Sequence, residues 1–194
     1  MISMLIAVER LLNAPIMSIQ TGQPLGRIVK PIINPFNLKI VAFFVEGPRI
    51  DFKPAVMFSE DVREFGSMGA IVDSFDNILS PEGMVRLNEV IEYGFNLKGV
   101  KVVDDNGRKL GKVENFNIDP ADFRIMQLEV KPTFMQSLKV ASFNIYRSQV
   151  VEVNNRVIVV KSPDIRVENT VNNSNKRQVL SPEFDNPFRK PATG

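Results

Sequence analysis

The chain has 194 residues, 44% of them hydrophobic and 24% charged, which is apolar material for one ordinary domain or two small ones of about 75 to 90 residues. It contains no Cys and no His, which excludes disulfides, thiolate chemistry, zinc fingers and imidazole-based triads. A net charge of +2 spread along the chain does not announce a nucleic-acid binder, and 14 Phe with 2 Tyr and no Trp assign the aromatics mainly to packing.

The N-terminal run, residues 1–8, is apolar but has no basic flank and meets Glu9 and Arg10 at once, so neither a signal peptide nor a spanning helix is expected, and the chain reads as cytoplasmic. From residue 13 the sequence begins to repeat. Residues 13–45 align without a gap on residues 98–130, a shift of 85 that carries Gly22 onto Gly107, Gly26 onto Gly111 and Pro35 onto Pro120. In each copy Thr21-Gly22-Gln23 or Asp105-Asn106-Gly107 forms a turn that needs positive φ. A strand then begins Leu-Gly-basic-aliphatic, and its Gly26 or Gly111 marks a bulge or a close backbone approach. Asn34-Pro35 and Asp119-Pro120 open a second turn, and third strands follow at 38–46 and 123–131, which makes each copy a meander.

The second halves are looser. The first copy offers a strand at 55–58, a turn at 59–62 and a strand at 70–72. Between the copies, Ser80 as N-cap, Pro81 at the first helical position and Gly94 past the end predict an amphipathic helix, with Met84, Leu87, Val90 and Ile91 on the face that packs across a barrel. The second copy offers strands at 139–143 and 157–160, with a turn at 148–150, alternating Val151 and Val153, and Asn154-Asn155 as a type I′ hairpin turn. Beyond about residue 166 the Asn-rich and Pro-broken sequence predicts a flexible tail. The expected fold is all-β: a first barrel at 8–79, a connecting helix at 80–94, a second barrel at 95–165 and a tail at 166–194.

The repeated pattern, clearest in residues 97–113 with their strand, Gly turn and Leu110-Gly111-Lys112-Val113, resembles the PRC-barrel family. The resemblance implies two small β-barrels used as a non-catalytic adaptor for protein partners. It also implies an alternative, a ribosome-maturation or RNA-processing accessory similar to the C-terminal domain of RimM. It supplies no catalytic residues, cofactor or metal to carry over.

Four groups of residues are weighed for function. Asp104 and Asp105 read as a solvated hairpin turn rather than a carboxylate pair. Asp73 and Asp76 offer oxygen ligands but lack the spacing of a calcium loop, so capping is the expectation. Arg108, Lys109 and Lys112, with Lys98 and Lys101, form the densest basic cluster; with Phe116 as the one aromatic interleaved, an ordinary charged strand surface is the expectation, and contact with RNA phosphates or an acidic protein face the alternative. Phe184 and Phe188 stand in a polar tail with no core to join; an ordinary terminus is the expectation, and a short linear binding motif that orders on contact the alternative.

Overall fold

The computed structural model describes residues 4–133 and 142–161, and in them the chain is mostly β, with two sheets and a single short α-helix. The first sheet runs β5-β4-β3-β2-β7-β6, built from β2 (Pro15–Ser18), β3 (Pro24–Asn34), β4 (Lys39–Glu46), β5 (Ala55–Phe58), β6 (Glu64–Gly66) and β7 (Gly69–Val72). The second runs β11-β10-β9-β8-β13-β12, from β8 (Lys101–Asp104), β9 (Lys109–Ile118), β10 (Ile125–Pro132), β11 (Phe143–Tyr146), β12 (Val150–Val153) and β13 (Val157–Val160). The strand orders are identical once each strand is matched to its counterpart. Each is an antiparallel meander whose last hairpin returns to lie parallel to the first strand, β7 on β2 and β13 on β8.

The irregularities repeat as well. A residue bulges from the first hairpin at Leu25 and Leu110, from the long strand at Val29 and Glu114, and from the third strand at Val41 and Met126. Bulges bend a ladder and increase its twist, so the same bulges at the same sites curve the two sheets alike. The helical turn after the fourth strand recurs too, at Ser59–Asp61 and Arg147–Gln149.

Two details of the repeat differ from the ungapped alignment. Ahead of the first turn the offset is 86, because Ile16 pairs Gly26 and Ala70 where Val102 pairs Gly111 and Ile158. The turn that Gly22 closes onto the Ser18 carbonyl is one residue longer than the turn that Gly107 closes onto Asp104. After the third strand the offset becomes 88, since β5 matches β11 and β7 matches β13. The expected strand at 139–143 is accordingly β11, starting at Phe143; residues 139–141 lie outside the described residues. Asn154-Asn155 is not a type I′ turn, because neither residue has positive φ. Asn154 instead accepts from the N–H groups of Arg156 and Val157 through its side chain, in a loop of three residues.

The copies meet about an approximate two-fold axis. Ile40 N–H donates to the Phe123 carbonyl at 3.0 Å, and Ile125 N–H to the Leu38 carbonyl at 2.9 Å, each bond the image of the other. Leu38 and Phe123 both take positive φ, 45° and 59°, where only a bond-making corner holds a bulky residue. Phe43 and Phe123 pack edge to face with centroids 5.4 Å apart, and one core of buried residues runs through both sheets. The N-terminal strand β1 (Ile6–Ala7) crosses over to pair with β9, and Glu9 secures it by ion pairing Lys98 at 2.5 Å and accepting from Asn115 at 2.6 Å.

The helix, α1 (Val85–Tyr93), makes the reciprocal crossing and packs on the first sheet. It is shorter than expected: its N-cap is Met84, with no side-chain cap, and Ser80 only accepts weakly from Glu82 N–H at 3.4 Å. Gly94 ends it in the left-handed region, as glycine readily does. Leu87, Val90 and Ile91 cover Ile32, Ala42 and Val56 in a second, smaller core on the outer face of β3–β4–β5. Among the described residues no helix is long and apolar enough to cross a membrane.

Candidate functional site

What the two copies share identifies the residues that the fold itself requires. Gly22 and Gly107 turn with φ of 64° and 77°. Gly26 and Gly111 lie flat against the third strand: a Cβ there would come within 2.3 Å of the Glu46 carbonyl oxygen or 2.1 Å of that of Lys131, closer than any side chain permits. The bulge itself falls one residue earlier, on Leu25 and Leu110. Pro35 and Pro120 sit in turns that Asn34 and Asp119 hold with their side chains, accepting from the N–H groups of Phe36 and Ala121.

The Asp104 carboxylate is not solvated. It is 2% exposed and accepts from the N–H groups of Asn106 and Arg108 and from the Arg108 guanidinium at 3.0 Å. Burial pushes its pKa up; the donated N–H groups of Arg108 and Asn106 and the Arg108 charge outweigh this and hold it below the ordinary aspartate value. Arg108 therefore belongs to the turn. Asp73 is likewise engaged, in an ion pair with Arg63, and Asp76 accepts from Ser74. Among the described residues no cluster of three or more acidic groups is placed to hold a metal ion.

What the copies do not share lies on their outer faces. The register sets Lys101 opposite Lys112, and Lys112 opposite Lys131, so three exposed lysines form one row across β8, β9 and β10, with exposed Lys109 beside it. The same row in the first copy is Pro15, Arg27 and Glu46, and there the Arg27 guanidinium pairs with the Glu46 carboxylate. The face under α1 differs in the same sense. Ile32, Ala42 and Val56 are replaced in the second copy by Asn117, Gln127 and Asn144, with Asn117 donating to Gln127 at 2.6 Å. One outer face is thus apolar where a helix packs on it, and the matching face of the second copy is polar.

A groove of about 450 Å³ lies on the seam between the copies, between residues 35–38 of the first and residues 150–153 of the second. Phe36 stands at its rim, 80% exposed, with its ring 5.7 Å from that of Tyr93. Arg147 forms its floor and clamps the seam, donating to the carbonyls of Asn37 at 2.6 Å, Leu38 at 3.1 Å and Ile125 at 3.3 Å.

Comparison with protein families agrees with this geometry. The model of the PRC-barrel domain matches residues 89–166. The chain carries a PRC-barrel domain. The match covers the second copy, and the first copy has the same strand order, bulges and glycine contacts. No curated protein matches the chain.

Of the basic residues singled out from the sequence, the PRC-barrel domain brings Lys101, Lys109 and Lys112 to one exposed face and commits Arg108 to its turn. Phe116 is 2% exposed and is not available to stack on a base. Phe184 and Phe188 lie outside the described residues. The sequence reading missed Lys131, because 19 positions separate it from Lys112 and only the β9–β10 register joins them. It also missed Phe36, Tyr93 and Arg147, which belong to three separate elements that meet only at the seam.

Proposed function

We propose that the protein is a non-catalytic adaptor that binds a protein partner across the seam of its two repeats. The observation that carries this reading is Phe36. A phenylalanine left 80% exposed costs solvation, yet this one is held by a turn whose geometry the fold fixes, against Tyr93 and beside Arg147 and exposed Val151. Aromatic and arginine side chains on a rigid frame are the usual composition of an interface hot spot, and a rigid frame spares the partner the entropy of ordering it. Burying one such ring contributes about 1.5 to 3 kcal/mol by area. The alternative reading, an RNA-processing accessory, has less support, since Phe116 is buried and Arg108 is neutralised.

The test is affinity capture with the intact chain and with Phe36→Ala/Tyr93→Ala as baits, from nuclease-treated extract. A defined protein partner, retained at high salt by the natural chain and lost from the variant, is the expected result. Equal recovery on both baits, or recovery of RNA alone, overturns the reading.

A further inference from the structure

We propose that the outer face of β8–β9–β10 in the second repeat docks an acidic protein segment, rich in Asp and Glu, on the row Lys101–Lys112–Lys131. The proposal rests on the adaptor reading and names the chemistry of a second contact. Its first support is the repeat itself. The same fold builds the same row in the first copy as Pro15, Arg27 and Glu46, without excess charge, so neither the ladder nor its curvature requires lysine.

Like charges placed directly opposite on neighbouring strands destabilise a sheet. With strands about 4.8 Å apart, the three lysine backbones lie within about 10 Å. Lys131 reaches Glu114 at 3.5 Å; none of the described carboxylates comes within ion-pair distance of Lys101, Lys109 or Lys112. The row therefore carries self-repulsion that an anionic partner relieves, and its field steers such a partner to the face.

The acidic partner is a peptide rather than a nucleic acid for two reasons. Among the described residues β8, β9 and β10 carry no exposed aromatic ring beside the row, because Phe116 points into the core and exposed Tyr146 lies one strand away on β11, opposite Gln127. The positive row is short, three residues across the strands, and Glu114 and Glu129 flank it along β9 and β10, so it suits a few carboxylates and not the long phosphate backbone of a nucleic acid running past it. An extended peptide sets the side chains of one face about 7 Å apart, so a few carboxylates suffice to meet lysine heads on flexible four-carbon stems.

The experiment titrates the full chain into a fluorescent decaglutamate peptide and, separately, into an oligouridylate of equal charge, reading anisotropy at low and physiological salt. Three proteins are compared: the natural chain, Lys101→Gln/Lys112→Gln/Lys131→Gln, and a control that removes the same charge elsewhere, Lys53→Gln/Arg86→Gln/Arg156→Gln. The row variant is expected to lose the peptide by about tenfold or more, as three exposed charge pairs allow, and the control by less than about threefold. Relief of repulsion leaves the melting temperature of the row variant equal to or above that of the natural chain. Equal losses in row variant and control, tighter binding of the oligouridylate through the same row, or a lowered melting temperature in the row variant would each overturn the proposal. None of these results depends on Phe36, so the adaptor reading stands or falls separately.

Discussion

Replacing Gly111 with alanine adds one methyl group at the most crowded backbone contact of the second repeat. The new Cβ would lie 2.1 Å from the Lys131 carbonyl oxygen, 2.8 Å from its carbon and 2.9 Å from a Val130 methyl. Carbon and carbonyl oxygen ordinarily meet at about 3.3 Å or more. β9 and β10 must therefore part by about 1 Å where Gly111 faces Pro132 and Lys112 faces Lys131. Overpacking of this kind costs about 1 to 3 kcal/mol, and a ladder hydrogen bond weakened beside it about 1 kcal/mol more, so a loss near 3 kcal/mol is expected. Gly107→Ala is the matched comparison. Its Cβ would meet nothing within 4 Å, and only φ of 77° opposes it, at a cost of about 1 to 2 kcal/mol. Guanidinium chloride unfolding of both variants, at equal slope, measures the difference. If Gly111→Ala shifts the midpoint no more than Gly107→Ala, the strands are not in the contact described and the explanation of the repeated glycine fails.

Arg147→Lys is expected to lower stability by about 1 to 3 kcal/mol in the same assay, because an ammonium cannot span carbonyls of Asn37, Leu38 and Ile125 that lie in both repeats; an unchanged midpoint would show that the clamp carries nothing. For Asp104, the folded-state pKa lies below the unfolded one, so its contribution is present above the unfolded aspartate value of about 3.9 and is lost as pH falls through the lower folded value. Asp104→Asn is therefore expected to be less stable than the natural chain at neutral pH, with the gap closing on acidification; parallel melting curves from pH 7 to pH 3 would contradict it.

The outer faces show why one repeated sequence supports two environments. The inward positions of both copies stay apolar, because each sheet must bury one face whatever covers the other. Outward positions follow their cover. Ile32, Ala42 and Val56 are apolar because α1 lies on them, and the matching Asn117, Gln127 and Asn144 are polar, with Asn117 hydrogen-bonded to Gln127. The divergence that weakened the sequence repeat after the third strand thus has two sources, a three-residue change of offset and a change of what the face meets.

The sequence by itself determined the duplication, the turns and the glycines. These are local: positive φ at Gly22 and Gly107, a Pro turn opened by Asn34 or Asp119, and alternation along each strand are set by neighbours a few residues away. The helix was legible from Leu87, Val90 and Ile91, but its start was not: Ser80-Pro81 imitates an N-terminus, while residues 81–84 are held as a turn by Met84 N–H bonding to Pro81, and Leu79 pairs with Val56 at the sheet edge. Only the tertiary structure decided the rest. Asp104 reads as a surface turn residue until the Arg108 and Asn106 donors are seen to close over it. The row Lys101–Lys112–Lys131 and the seam site of Phe36, Tyr93 and Arg147 join residues far apart in the chain, because strand register and the approximate two-fold packing are properties of the whole sheet and not of any local segment.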